Sequence, residues 1–286
     1  MAMTSATLEE RWTEARGGRI RYLVAGEGPP IVLVHGLGGS ATNWCELAPL
    51  LAERHLVVVP DLPGHGGSEP LAAVAVMERE GIARALVVGH SLGGLVVLRL
   101  ALRRPEMVSA IVLAGSAGLS LGGVWLRNLL TALTIVRPGR LAGRHRSLVA
   151  RSRLLRRFVF GFVSVADPVG LADSAVDGFL AGQVLHTDTA SAWRALRDDD
   201  PREELEHLRC PALVLWGAED AQLPLEDAFE FARRLRAPLR TIAGCGHLLI
   251  GERPEPCAHA IEEFLSTRVS ADSRSSASGV AAGTSS

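Results

Sequence analysis

With 286 residues, 48% of them hydrophobic and 21% charged, the chain is long and apolar enough to bury one large α/β core or one core with an insertion. Its 30 basic and 31 acidic residues leave a formal charge of −1, which gives no global reason to expect nucleic acid as a partner. Four cysteines, Cys45, Cys210, Cys245 and Cys257, lack C-x-x-C spacing, so neither a metal site nor a redox dithiol is expected and no cofactor is implied.

All the basic residues are arginine, which reads as GC-rich codon usage and a bacterial source. The segment Met1–Arg16 has no apolar core behind a basic stretch, so no signal peptide is read and a reducing cytoplasm is expected. Met107–Leu126 is uncharged for 20 residues, but Gly115, Gly118, Gly122 and Gly123 interrupt it. Its first part, Ala110–Ala114, reads better as a core strand than as part of a membrane span.

In chain order, Trp12–Thr13 and Ile20–Val24 predict two antiparallel strands around a Gly17-Gly18 turn. Ile31–Val34 is a continuous apolar run suited to a central parallel strand. The loop His35-Gly36-Leu37-Gly38-Gly39 follows, then a helix over Asn43–Ala52 and a buried strand over Leu56–Val59. One short helix, Leu71–Arg79, fits before the strand Ala85–Val88 and the helix Leu92–Arg104.

From Ala117 to about Asp200 no buried strand is evident, only arginine- and leucine-rich helical pieces. The alternation resumes with the strand Ala212–Trp216, the helix Leu225–Leu235, the strand Leu239–Ile242 and the helix Glu255–Leu265. The expected fold is α/β, a mostly parallel sheet of about eight strands covered on both faces. Residues 1–116 and 201–267 form its core, 117–200 an inserted helical cap, and 268–286, rich in Ser, Ala, Gly and Thr, a disordered tail.

Gly89-His90-Ser91-Leu92-Gly93 sits where the strand turns directly into a helix. Such a corner strains its central residue and holds the serine hydroxyl out at the carboxyl edge of the sheet, with glycines letting strand and helix pass closely. A serine needs a base to take its proton and a third group to orient that base. Two later strand ends supply both: Glu219 and Asp220 follow Trp216-Gly217, and His247 follows Gly244-Cys245-Gly246. Hence Ser91, Asp220 and His247 are the candidate catalytic residues.

With these motifs the chain resembles the cap-bearing serine members of the α/β-hydrolase superfamily, approximately over Trp12–Leu265. The resemblance also rests on His35-Gly36-Leu37-Gly38 with Trp44, on Asp61-Leu62-Pro63-Gly64-His65-Gly66-Gly67-Ser68, and on Gly246-His247 with Glu252 and Pro254. It implies Ser91 as nucleophile, His247 as base and then acid, and Asp220 rather than Glu219 as the orienting carboxylate. The backbone N–H groups of Leu37 and Leu92 would form the oxyanion hole, and Leu92 opens a helix whose dipole suits a developing anion. His90, Cys245, Trp44 and Trp216 read as packing residues, and His35 and His65 as groups that fix their loops. The stretch from Ser68 to Gly89 is shorter than relatives usually have.

A serine at the elbow disfavours dehalogenase and epoxide-hydrolase chemistry, which the family performs with aspartate. The one tyrosine, Tyr22, also lies outside the cap. The expected reaction is hydrolysis of a carboxylic ester or thioester, the substrate a small molecule with an apolar acyl part. The alternatives are a carbon–carbon bond hydrolase of ring-cleavage products, a cofactor-free perhydrolase or haloperoxidase, and a ligand-binding protein without turnover. Carbon–carbon hydrolases usually carry Asn and Trp where this chain has His90 and Leu248.

Eight arginines and no acidic residue lie between Arg137 and Arg157. They suit contact with an anionic membrane or an acidic carrier. The reading preferred from sequence is a solvated face balanced by the acidic run Asp198–Glu206, with Leu141, Leu148, Leu154 and their neighbours packed on the sheet.

Overall fold

Strands rich in Val, Ile and Leu, buried on both faces, give this chain its frame. A computed structural model describes residues 7–15, 18–62, 69–120, 132, 136, 138–161, 165–185 and 189–281. Its sheet has eight strands: β1 (Glu9–Ala15), β2 (Gly18–Ala25), β3 (Pro30–Val34), β4 (Leu56–Pro60), β5 (Ala85–His90), β6 (Val108–Ala114), β7 (Ala212–Gly217) and β8 (Leu239–Ile242). Their order is β1-β2-β4-β3-β5-β6-β7-β8. The β1–β2 and β2–β4 pairs are antiparallel and every later pair is parallel. All six residues of β5 and of β7 are buried, as strands covered by helices on both sides require.

The first helical stretch departs from the continuous Asn43–Ala52 helix expected. A 3₁₀ turn over Ala41–Trp44 is followed by α1 (Leu47–Leu51). Pro49 explains the division: in an unbroken helix it would sit in the interior without an N–H, whereas in the first turn of α1 no donor is needed there. Next come α2 (Glu69–Arg79) and α3 (Leu92–Arg103), so the short Ser68–Gly89 stretch still holds an 11-residue helix and leaves the sheet order intact.

Between β6 and β7 lie only helices among the described residues: α4 (Pro138–Arg144), α5 (Arg146–Arg151), α6 (Arg153–Phe160), α7 (Asp173–Leu185) and α8 (Thr189–Asp198), then a 3₁₀ turn over Arg202–His207. After β7 come α9 (Leu225–Leu235), α10 (Leu249–Glu252) and α11 (Pro254–Ala281). No described helix is long and apolar enough to cross a membrane. The helix α11 runs on through much of the stretch expected to form a tail from 268. Elongation from a packed first half does not repeat the cost of nucleation, which favours its continuation. Phe264 is buried, within the half that packs on the core. The Gly17 side of the first hairpin turn, Pro63–Ser68 with His65, residues 121–126, Arg137 and residues 282–286 lie outside the described residues.

Two expectations for the cap are corrected. Leu141, Leu148 and Leu154 do not pack on the sheet but are 64%, 59% and 77% exposed, while Val149 and Ala150 are buried. The reason is that the helices break at His145 and Ser152, so each short helix restarts its own phase. Nor does the acidic run balance the cap arginines. Asp199 and Glu204 pair with Arg99 of α3, Asp198 with Arg197 and Asp200 with Arg202.

Candidate active site

Ser91 occupies the turn from β5 into α3 with φ 56° and ψ −121°, a conformation that L-residues avoid. A glycine stands two residues to either side because backbones meet there. A Cβ at Gly89 would lie 2.3 Å from the Gly93 carbonyl oxygen, and one at Gly93 would lie 2.2 Å from that of Val34. The corner is held from both sides: the Ser91 N–H donates to the Ala114 carbonyl at 3.1 Å, and its own carbonyl accepts from Gly94 and Ala117 at 3.0 Å each.

Two loops at the same sheet edge reach this hydroxyl. After β8, His247 turns its ring inward so that Nε2 lies 3.0 Å from Ser91 Oγ. Its Nδ1 lies 2.8 Å from Asp220 Oδ2, in the loop that leaves β7. The His247 and Asp220 side chains are only 3% and 1% exposed, which dries this pair and strengthens it. Burial alone would raise the Asp220 pKa. The charge and hydrogen bond of His247 and the N–H groups of Leu223 and Gln222, at 2.9 and 2.8 Å, outweigh it and hold the carboxyl below its usual range. Glu219 is exposed and takes no part.

The structure thus brings Ser91, Asp220 and His247 together from three strand ends. Leu92 follows Ser91 as the first residue of α3, and Leu37 lies in the loop after β3. A Cβ at Gly36 would stand 2.9 Å from Ser91 Cβ, so the His35–Gly38 loop lies against the Ser91 corner. Among the described residues, neither the Leu37 nor the Leu92 N–H has a hydrogen-bond acceptor. Backbone N–H groups without an acceptor are the kind of donor that a tetrahedral oxyanion uses.

Around this centre the packing residues read from sequence are in place: Trp44, Trp216 and Cys245 are fully buried. Burial drives the Cys245 thiol strongly up, so it is held as a neutral filler. His35 bridges its own loop and the next, its Nδ1 2.9 Å from the Gly36 carbonyl and its Nε2 accepting from the Leu62 N–H at 2.9 Å. His90 does more than fill space. Its Nε2–H donates to the His247 carbonyl at 2.8 Å, so it is a neutral strut under the histidine loop. Burial, then the nearby His247, push its pKa down to about 3.

Two supports are polar. Glu252 accepts from the N–H of Gly246, next to His247, at 3.0 Å and from that of Ala166 in the cap at 2.8 Å. Burial raises its carboxyl pKa against the pull of those donors. Gln183 of α7 donates from Nε2 to the Gly38 carbonyl at 3.1 Å and so fixes the Leu37 loop from above. The same helix meets the 3₁₀ turn directly, with Thr42 Oγ1 donating to the Gly178 carbonyl at 2.8 Å. Glu252 stands in a motif visible in sequence. Gln183 does not, since a lone glutamine on a cap helix carries no local signal.

Comparison with known proteins places the chain among relatives of several activities. The chain is 32% identical to a pimeloyl-[acyl-carrier protein] methyl ester esterase of Aromatoleum aromaticum, across 83% of this chain and 98% of that protein. It is 31% identical to a 2-hydroxymuconate semialdehyde hydrolase of a Pseudomonas species, across 88% and 92%. The crystal structure of a bromoperoxidase from Bacillus anthracis superposes with a TM-score of 0.75 at 18% identity, over 90% of this chain and all of that one, which bears on the fold alone. The Alpha/beta hydrolase family profile matches residues 31–260, most of the chain, and the chain belongs to that family.

Proposed function

We propose that this hydrolase cleaves a carboxylic ester or thioester of a small molecule through an acyl-enzyme on Ser91. The observation that carries the reading is the unbroken relay from Ser91 Oγ to His247 Nε2 at 3.0 Å and from His247 Nδ1 to Asp220 Oδ2 at 2.8 Å. His247 takes the serine proton as Oγ attacks the substrate carbonyl, and the Leu37 and Leu92 N–H groups receive the oxyanion. The same imidazole then gives its proton to the leaving alcohol or thiol and afterwards activates the water that releases the acid. Asp220, kept ionised, holds the ring in the tautomer whose Nε2 is free to accept.

An esterase relative at 32% identity supports the ester assignment. A second reading, hydrolysis of a carbon–carbon bond in a ring-cleavage product, is favoured by the semialdehyde hydrolase relative at 31% identity. His90 and Leu248 argue against it. His90 is buried as a strut, its ring nitrogen already committed to the His247 carbonyl. A panel of nitrophenyl esters of graded acyl length, run beside a vinylogous dienone acid, decides between the two. Turnover of esters with little on the dienone acid is expected; the reverse pattern selects the second reading.

A further inference from the structure

Three short cap helices carry a surface that the proposed chemistry does not use. The helices α4, α5 and α6 have their inner sides in the cap core. Val149, Ala150 and Phe160 belong to one buried cluster with Ala175, Val176, Phe179 and Leu180 of α7. Their outer sides carry large apolar side chains as well. Leu141, Leu148, Leu154 and Phe158 are each more than half exposed, an unusual concentration of large apolar side chains for a helix surface in water.

Cations flank these side chains. Arg140 precedes Leu141, Arg153 precedes Leu154 and Arg157 precedes Phe158. On α6 the Arg153–Arg157 and Leu154–Phe158 pairs, each four residues apart, form two adjoining stripes. Arg146 is paired with Asp177 and Arg156 with Asp173. Arg140, Arg144, Arg151, Arg153 and Arg157 have no ion pair among the described residues, and residues 138–161 contain no Asp or Glu.

We propose that this outer face of the cap docks on an anionic lipid bilayer. The charge argument requires a negative partner, because nothing acidic in α4–α6 answers the five arginines. The apolar argument narrows it. Leucine and phenylalanine alternate with arginine along the face, so the partner offers negative charge and an apolar phase together at each point. The headgroup–acyl boundary does so without a fixed geometry. Leu and Phe enter the acyl layer while the guanidinium groups stay at the level of the phosphates. An acidic protein would have to match both stripes by shape. The inference is independent of the hydrolytic reading, since no residue of the face belongs to the site.

Vesicle flotation tests it, using phosphatidylcholine alone and phosphatidylcholine mixed with phosphatidylglycerol, at low and raised salt, on the full chain and on its Ser91→Ala variant. Both proteins are expected to float with the anionic vesicles only and to be released by salt, whatever the outcome for catalysis. Each arginine at an anionic surface contributes about fivefold to binding, so Arg153→Glu with Arg157→Glu should weaken it by at least ~30-fold. Leu148→Ser with Leu154→Ser should also abolish flotation while the melting temperature holds. Phe229→Ser, an exposed apolar site on α9, should change nothing. Equal binding to neutral vesicles overturns the proposal, as does no flotation of the unmodified chain or flotation that survives either cap double variant. Retention by an acidic carrier protein without vesicle binding overturns it too.

Discussion

Below the candidate site, β3, β5, β6 and β7 satisfy their polar backbone within the ladder and bury nearly every side chain. Between β6 and β7, the segment we propose as a cap is built from helices of six to thirteen residues, fastened by a few polar groups set among apolar ones. Arg156 is the main fastener. Its buried guanidinium donates to the carbonyls of Ala150, Val169 and Leu171 and pairs with Asp173. Gln183 and Glu252 then connect cap to core. The contrast teaches where rigidity and adaptability reside. Atoms that must stay within hydrogen-bond reach hang from the sheet edge, and the roof over them depends on single side chains that can be removed one at a time.

The largest effect expected lies on the sheet side. Ser91→Ala should lower ester turnover on the order of 10⁶-fold while leaving the unfolding midpoint in place, since only a hydroxyl is lost. Steady-state rates beside a thermal melt check this. Should turnover persist, the nucleophile lies elsewhere and the sheet edge loses its special standing.

His90 gives the next effect, also within the core. The folded chain refuses a proton to this ring until about pH 3, whereas the unfolded chain accepts one near its ordinary value of about 6.5. Its contribution to stability is therefore complete above that ordinary value and is lost as pH falls toward 3, with a slope of at most about 1.4 kcal/mol per pH unit. Urea midpoints measured across this range should fall less steeply for His90→Gln than for the unmodified chain. Parallel curves would mean that His90 is not held neutral.

On the cap side, Arg156→Met should cost about 2–4 kcal/mol of local stability by leaving buried carbonyls unpaired. Hydrogen exchange should quicken in α4–α7 while β5 and β6 keep their protection. Uniform quickening would show that cap and sheet unfold as one unit. The smallest effect expected is at the junction: Gln183→Ala should lower kcat about two- to tenfold, through a less fixed Leu37 loop, with the fold unchanged.

The same contrast explains what the residues made legible. The central strands β3 to β7 were readable because a parallel sheet needs short apolar runs, whereas β1, rich in charged residues, was read only over Trp12–Thr13. Ala85–Val88 and Ala212–Trp216 have no other plausible use. Ser91 was readable because it stands directly after such a run, and Asp220 and His247 because each follows a later strand within a few residues, beside glycines that close approach requires. The cap was legible only as an interruption. Leu141, Leu148 and Leu155 are spaced by seven, as on one stripe of an unbroken helix, yet breaks at His145 and Ser152 leave the first two in solvent and Leu155 half-buried. Arg156 and Gln183 act on carbonyls distant in sequence or in another element, and no local spacing announces such partners.

Covalent labelling with a fluorophosphonate, followed by intact mass and peptide mapping, tests the proposed relay most directly. One adduct per folded chain on the peptide carrying Ser91, absent in His247→Ala, is the result predicted. A folded protein that takes no adduct, or takes it on another residue, would contradict it.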